Sequence, residues 1–129
     1  MDDSQYEILH QIGVGRFSNV YAARCITNNQ LVAIKQVDLD ILPFDADQLR
    51  RGLAEWSSAK HPRLVQYYGS FTSGRYLRII VEYLNGGSLL DALNYGYPNG
   101  FTDEALIATM LHMILEFLVF FHDVNHIHR

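Results

Sequence analysis

Three sets of residues in this sequence have the types and spacing to do chemistry. The first is Gly13-Val14-Gly15-Arg16-Phe17-Ser18-Asn19-Val20, of the form GxGxxSxV. Glycines let backbone amides approach phosphate oxygens with no Cβ in the way. The competing reading is an ordinary glycine turn. A dinucleotide-binding unit would place a helix directly after the glycines. Here an extended run and a turn at Asn28-Asn29 follow too soon for one. A Walker-type loop would end in Gly-Lys-Ser/Thr, which is absent. The second set is Val32-Ala33-Ile34-Lys35. A lysine inside an apolar strand costs free energy unless its ammonium meets an anion. The alternative is a lysine on the solvent face of an edge strand. At this spacing, glycine loop and lysine together form a phosphate-binding pair for a nucleotide. The third set is His122, His126 and His128, clustered near the carboxyl end. Without a second ligand group they do not amount to a metal site, and no metal ligands are assigned.

The elements that must position these residues are legible in outline. Tyr6 to Val14 reads as a strand running into the glycine turn. Val20 to Cys25 and Leu31 to Val37 read as a hairpin around Thr27-Asn28-Asn29-Gln30. Leu42-Pro43-Phe44 is a break. Asp45 or Asp47 caps a helix to about Lys60, with Leu49, Leu53 and Trp56 at helical spacing. His61-Pro62 ends it, because the residue before proline disfavours helix. Leu64 to Phe71 and Tyr76 to Tyr83 read as two more strands around Thr72-Ser73-Gly74. Ser88 and Asp91 make a capping box for a short helix. Thr102 caps a last helix running to about His122, its first turn acidic through Asp103 and Glu104. Strands with one inserted helix, then helices only, predict an α+β small lobe followed by the start of a helical lobe. The boundary falls at residues 84 and 85.

Composition narrows the class. The 129 residues are 49% hydrophobic and 19% charged, a globular balance with room for a modest core. The net charge of −4 carries no block of like charge, so neither nucleic acid nor an anionic membrane is an expected partner. The one cysteine, Cys25, cannot form an internal disulfide, and a reducing, cytoplasmic location is expected. The acidic start Met1-Asp2-Asp3-Ser4 resembles no secretory or mitochondrial leader. The apolar stretch Leu106 to Phe121 is interrupted by Thr109, His112 and Glu116, and reads as a buried helix rather than a membrane span. Its apolar residues lie on nearly every face, as in a helix inside a larger core. The expectation is that these residues need further sequence or a partner to cover them.

The motifs resemble those of the eukaryotic protein kinases, in order, from the first strand to the last residue. Gly13 to Val20 resembles the glycine-rich loop, and Val32 to Lys35 the third-strand lysine motif. His61-Pro62-Arg63-Leu64-Val65 is similar to the His-Pro segment before the fourth strand. Val81-Glu82-Tyr83-Leu84-Asn85-Gly86-Gly87-Ser88-Leu89 is similar to the gatekeeper and hinge, and Ile127-His128-Arg129 to the opening of the catalytic His-Arg-Asp motif. Within the kinases the resemblance is to the sterile-20-like group, in its Fray and oxidative-stress-responsive branch. It is carried by Tyr67-Tyr68-Gly69-Ser70-Phe71, the run from Gly86 to Asp91, and Ile107-Ala108-Thr109.

The resemblance implies a small lobe with an antiparallel five-stranded sheet and one helix, then the first helices of the large lobe. It implies ATP and Mg2+ as cofactors, Ser/Thr specificity, a protein substrate and regulatory proteins as partners. Ile12, Val20, Ala33 and Leu84 would wall the adenine, or simply pack the lobe. The backbones of Glu82 and Leu84 would bond the adenine edge. Gly13 and Gly15 would let the loop close over the phosphates. Lys35 would contact the α- and β-phosphates, and Val81 would be a small gatekeeper.

Two departures stand out. The family places a glutamate on the inserted helix ten residues before the proline of His-Pro, paired with the strand lysine. Here that position is Gly52. Glu55, three residues on, would reach Lys35 from a rotated helix or would simply sit on the surface. The missing glutamate raises a pseudokinase-type binding module as the alternative to a kinase. The second departure is the end. No catalytic Asp, downstream Asn or Asp-Phe-Gly is present, so these residues by themselves are expected to be inactive, a truncated kinase portion whose magnesium ligands lie outside it.

Overall fold

A computed structural model describes residues 1–43 and 45–124. They form two compact units, the first made of Met1–Lys60 and Val65–Leu84, the second of His61–Leu64 with the residues from Asn85 onward.

The first unit is a five-stranded antiparallel sheet with one helix. In chain order the strands are β1 (Tyr6–Val14), β2 (Ser18–Cys25), β3 (Leu31–Asp38), β4 (Tyr67–Ser73) and β5 (Tyr76–Glu82), and helix α1 (Ala46–Ser58) lies between β3 and β4. The spatial order β1-β2-β3-β5-β4 puts β3 at the centre. The β2–β3 hairpin turns where expected. Asn29 takes φ 59°, a left-handed value that asparagine tolerates, and the Asn28 side chain accepts from the Gln30 amide at 3.0 Å.

Because side chains alternate along a strand, the sheet has two faces and a core on each. One holds Ala33, Val37, Leu77, Ile79 and Val81, covered by Leu49, Leu53 and Trp56 of α1. The other holds Ala23, Val32, Ile34 and Ile80, closed by Tyr6, Tyr68 and Phe71. The Tyr6 and Phe71 rings stack 6.1 Å apart, and burial pushes the Tyr6 phenol up from its ordinary pKa. On that face Asp3 binds both Ser73 and Arg78. Of the two candidate caps for α1, Asp45 is the one used: its carboxylate accepts from Gln48 N at 2.8 Å and Gln48 answers at Asp45 N. Trp56 fixes the far end by donating Nε1–H to the Val65 carbonyl at 3.1 Å.

The fourth strand begins at Tyr67, not at the expected Leu64. The reason is local turn chemistry. The Leu64 amide donates to the His61 carbonyl at 3.0 Å, and the Arg63 amide donates to His61 Nδ1 at 3.0 Å. Those amides are therefore spent before a ladder can form.

The second unit is helical, with α2 (Leu89–Gly96) and α3 (Glu104–Asp123). The Ser88–Asp91 box forms as expected, its amides and side chains bonded reciprocally. At α3 the cap is Asp103 rather than Thr102: its carboxylate accepts from Ala105 N and Leu106 N, and a charged acceptor at a helix start is favoured over a hydroxyl. His61 packs on this helix, its ring 4.8 Å from Phe120 and 5.6 Å from Phe117. No residue of α3 is fully buried, and Leu111, Ile114, Leu115 and Val119 are exposed. The expected burial of this helix is thus not provided by the described residues. At 20 residues α3 has nearly the expected extent, and it is long and apolar enough to cross a membrane on those two criteria alone.

Candidate functional site

The glycine loop is the connection from β1 to β2, and its geometry explains only one of its two glycines. The Gly15 amide donates to the Ser18 carbonyl at 2.6 Å, a tight turn. A Cβ on Gly15 would meet Ser18 Oγ at 2.8 Å, so that hydroxyl would have to move. A Cβ on Gly13 would meet only Val20 at 3.5 Å, an ordinary contact. Glycine at 15 thus spares a contact with the Ser18 hydroxyl, while at 13 even that constraint is missing. At the root of the loop the Gln11 side chain donates to the Gly13 carbonyl at 3.3 Å.

Strand register sets the expected residues beside one another. Gly13 opposes Val20, Val20 opposes Lys35, and Lys35 opposes Ile79. Directly opposed residues of antiparallel strands share a face. This row crosses the sheet on the α1 side, because Ala33 and Val37, two positions either way from Lys35, lie in the core beneath α1. One row along, Ala33 opposes Val81, and both join Val20 in the same apolar cluster. Val20, Ala33, Val81 and Lys35 are thus brought together on one face, with Gly13 at its edge.

Lys35 corrects one premise of the sequence reading. It lies on the central strand, so the edge-strand alternative does not apply. Yet it is exposed, so no desolvation cost forces an anion upon it. Its case rests on position: an ammonium on the face where the glycine loop begins. Among the described residues no ion pair joins it to a carboxylate. A lysine so placed can meet an anionic ligand without first breaking a protein contact.

The remaining residues sit less tightly. Ile12 lies at a β-bulge, where the β1–β2 register shifts between Gln11 and Gly13, and is 43% exposed. Leu84 lies just past β5 and is 58% exposed. The Glu82 amide donates to the Gln66 carbonyl at 2.9 Å, and its carboxylate accepts from the Gln66 amide at 3.2 Å. A ligand at Glu82 would therefore find the carbonyl, not the N–H. On α1, a Cβ at Gly52 would meet nothing within 4 Å, so glycine there is not a packing requirement. Glu55 is exposed on the same helix.

Among the described residues, no group of three or more His, Cys, Asp or Glu could hold a metal ion. The Ile127-His128-Arg129 motif and two of the three terminal histidines, His126 and His128, lie outside the described residues, as does Phe44 of the break after β3.

The family model "Protein kinase domain" matches residues 6–129. Germinal center kinase 3 of Caenorhabditis elegans is 35% identical over 136 residues, covering 99% of this chain and 23% of its own length. Serine/threonine-protein kinase fray1 of Dictyostelium discoideum is 35% identical, over 98% of this chain and 22% of its own length. Serine/threonine-protein kinase PLK4 of Drosophila virilis is 31% identical, over 97% and 16%. The chain spans about a fifth to a quarter of the first two relatives. A five-stranded antiparallel sheet with one inserted helix and then helices is the small lobe and opening of the large lobe of such a domain. With that match running along nearly the whole chain, the chain belongs to the protein kinase domain family.

Proposed function

We propose that this chain supplies the nucleotide-binding part of an ATP-dependent protein serine/threonine kinase. Ile12, Val20, Ala33 and Leu84 wall the adenine, Val81 is a small gatekeeper beside it, and the backbones of Glu82 and Leu84 bond its edge. The glycine loop with Gly13 and Gly15 covers the phosphates. Lys35 neutralises charge on the α- and β-phosphates. The observation that carries this reading is the row Gly13–Val20–Lys35, which sets an exposed ammonium on the loop's own face of the sheet.

These residues suit a triphosphate: the loop turns tightly at Gly15, whose amide bonds to the Ser18 carbonyl, and Lys35 is exposed. Bound with magnesium, ATP supplies the transferable phosphoryl group. The chain's residues bind and orient it, which is most of what phosphoryl transfer asks of a protein. Magnesium is assigned no ligand here. Residues 1–129 alone are expected to bind nucleotide without transferring phosphate, since they contain no Asp-Phe-Gly. In a longer protein the partners would be a protein substrate and regulatory proteins, with neither nucleic acid nor membrane involved. A cytoplasmic location is in keeping with the single free Cys25.

Gly52 favours a second reading, a pseudokinase-type module that binds partners without transfer. The position facing open space could hold a glutamate and does not.

The test is phosphorylation of a generic Ser/Thr substrate by a longer protein containing these residues. Activity abolished by Lys35→Met is the expected result. Activity that survives the substitution would remove Lys35 from the mechanism. No activity in the unsubstituted protein, with nucleotide still bound, would favour the second reading.

A further inference from the structure

We propose that Asp38 and Arg75 are positioning residues for the glycine loop, pinning its returning end to the turn between β4 and β5. The inference deepens the nucleotide-binding reading and rests on it.

The loop reaches β2 at Ser18, which opposes Val37 in the ladder. One further rung lies beyond that pair: the Asp38 amide donates to the Phe17 carbonyl at 3.2 Å. Phe17 is a loop residue, so this bond ties the loop itself to the end of β3. The last rung of a ladder ordinarily opens first. Here it is braced. The Asp38 carboxylate accepts from an Arg75 guanidinium nitrogen at 2.6 Å and from the Asp40 amide at 3.0 Å. The Leu39 amide donates to the Arg75 carbonyl at 2.9 Å. The Asp38 side chain is only 14% exposed although it ends its strand.

Arg75 follows Gly74, whose φ of +59° makes the tight turn that aims the next residue back toward β3. The guanidinium also lies 5.3 Å from the centre of the Tyr76 ring, which limits its rotation. The result is a continuous path from the β4–β5 turn through Arg75 and Asp38 to the Phe17 carbonyl. A loop that must close over phosphates binds more tightly when its ends are already placed, because less ordering remains to be done on binding. Neither residue touches the nucleotide in this account.

The experiment uses the full chain and the non-hydrolysable ATP analogue AMP-PNP with magnesium. Amide exchange at Asp38 and AMP-PNP affinity are measured for the unsubstituted protein, Arg75→Ala and Arg75→Lys. Arg75→Ala should speed Asp38 exchange and weaken AMP-PNP binding by about fivefold, the scale of one ordered ion pair. Arg75→Lys, which keeps the charge, should recover most of both. Asp38→Asn should reproduce the alanine variant, which keeps the test alive if Arg75→Ala folds poorly. Unchanged Asp38 exchange overturns the brace. Faster exchange with unchanged affinity overturns its role in nucleotide binding while leaving the binding reading intact. Failure of the unsubstituted protein to bind AMP-PNP overturns the nucleotide-binding reading and, with it, the pair's role in binding.

Discussion

The two units solve the same problem, covering apolar surface, to different extents. The sheet unit closes two cores from its own residues. Ala23, Ile34 and Ile80 reach 0% exposure, and α1 covers one face while Tyr6, Tyr68 and Phe71 cover the other. The helical unit has no fully buried residue in either α2 or α3. The difference follows from the patterns. A strand of period two buries both faces when each is offered a neighbour. A helix apolar all round needs neighbours on every side, and α3 leaves Leu115 58% and Val119 62% exposed. The candidate nucleotide residues all lie in the unit that closes on itself.

If that contrast is right, substitutions should divide by unit. Ile80→Ala in the sheet core should cost about 2–5 kcal/mol, read by urea denaturation. Trp56→Phe removes the bond to the Val65 carbonyl, and should cost about 1 kcal/mol in the same assay. Gly52→Ala, open on all sides, should stabilise by about 1 kcal/mol through helix propensity alone. A loss of stability there would show that α1 packs more closely than the open space at Gly52 implies. Val119→Lys on α3 should change stability by less than about 0.5 kcal/mol while raising solubility, read by light scattering. A large destabilisation would mean that this face is covered and would erase the contrast.

The smallest effect concerns pH. Bonds from the Ser88 amide and hydroxyl hold the Asp91 carboxyl below its ordinary value. A lowered folded pKa stabilises above the unfolded value and is lost as pH falls through the folded one. Helix α2 should therefore fray on acidification below the usual aspartate range, seen in amide exchange from Leu89 onward. Ser88→Ala, which keeps the amide bond and loses the hydroxyl, should weaken that response, and Asp91→Asn should remove it.

Much of this was legible in the sequence, for physical reasons that differ by residue. The strands, α1 and the Ser88–Asp91 box follow from local patterns that the structure keeps. Gly15 was legible because a tight turn announces itself through glycine. The start of β4 was not, since His61 takes the Arg63 and Leu64 amides through side-chain and turn bonds that a hydrophobic run does not reveal. The α3 cap lies one residue on because Thr102 and Asp103 are both competent and the charged acceptor is the more favoured at a helix start. The bulge at Ile12 depends on register against β2, and the Asp38–Arg75 pair joins residues 37 positions apart. Neither has a local signature. The exposure of Lys35 was one of the two readings open in the sequence, but its place on a central rather than an edge strand depends on the strand order, which has no local signature.

The most direct test of the central claim is a titration of the full chain with magnesium and AMP-PNP, followed by amide chemical shifts. The account predicts shifts at Gly13, Gly15, Val20, Lys35 and Leu84, and their loss in Lys35→Met. Binding that leaves those amides unmoved, or that Lys35→Met does not weaken, would contradict it.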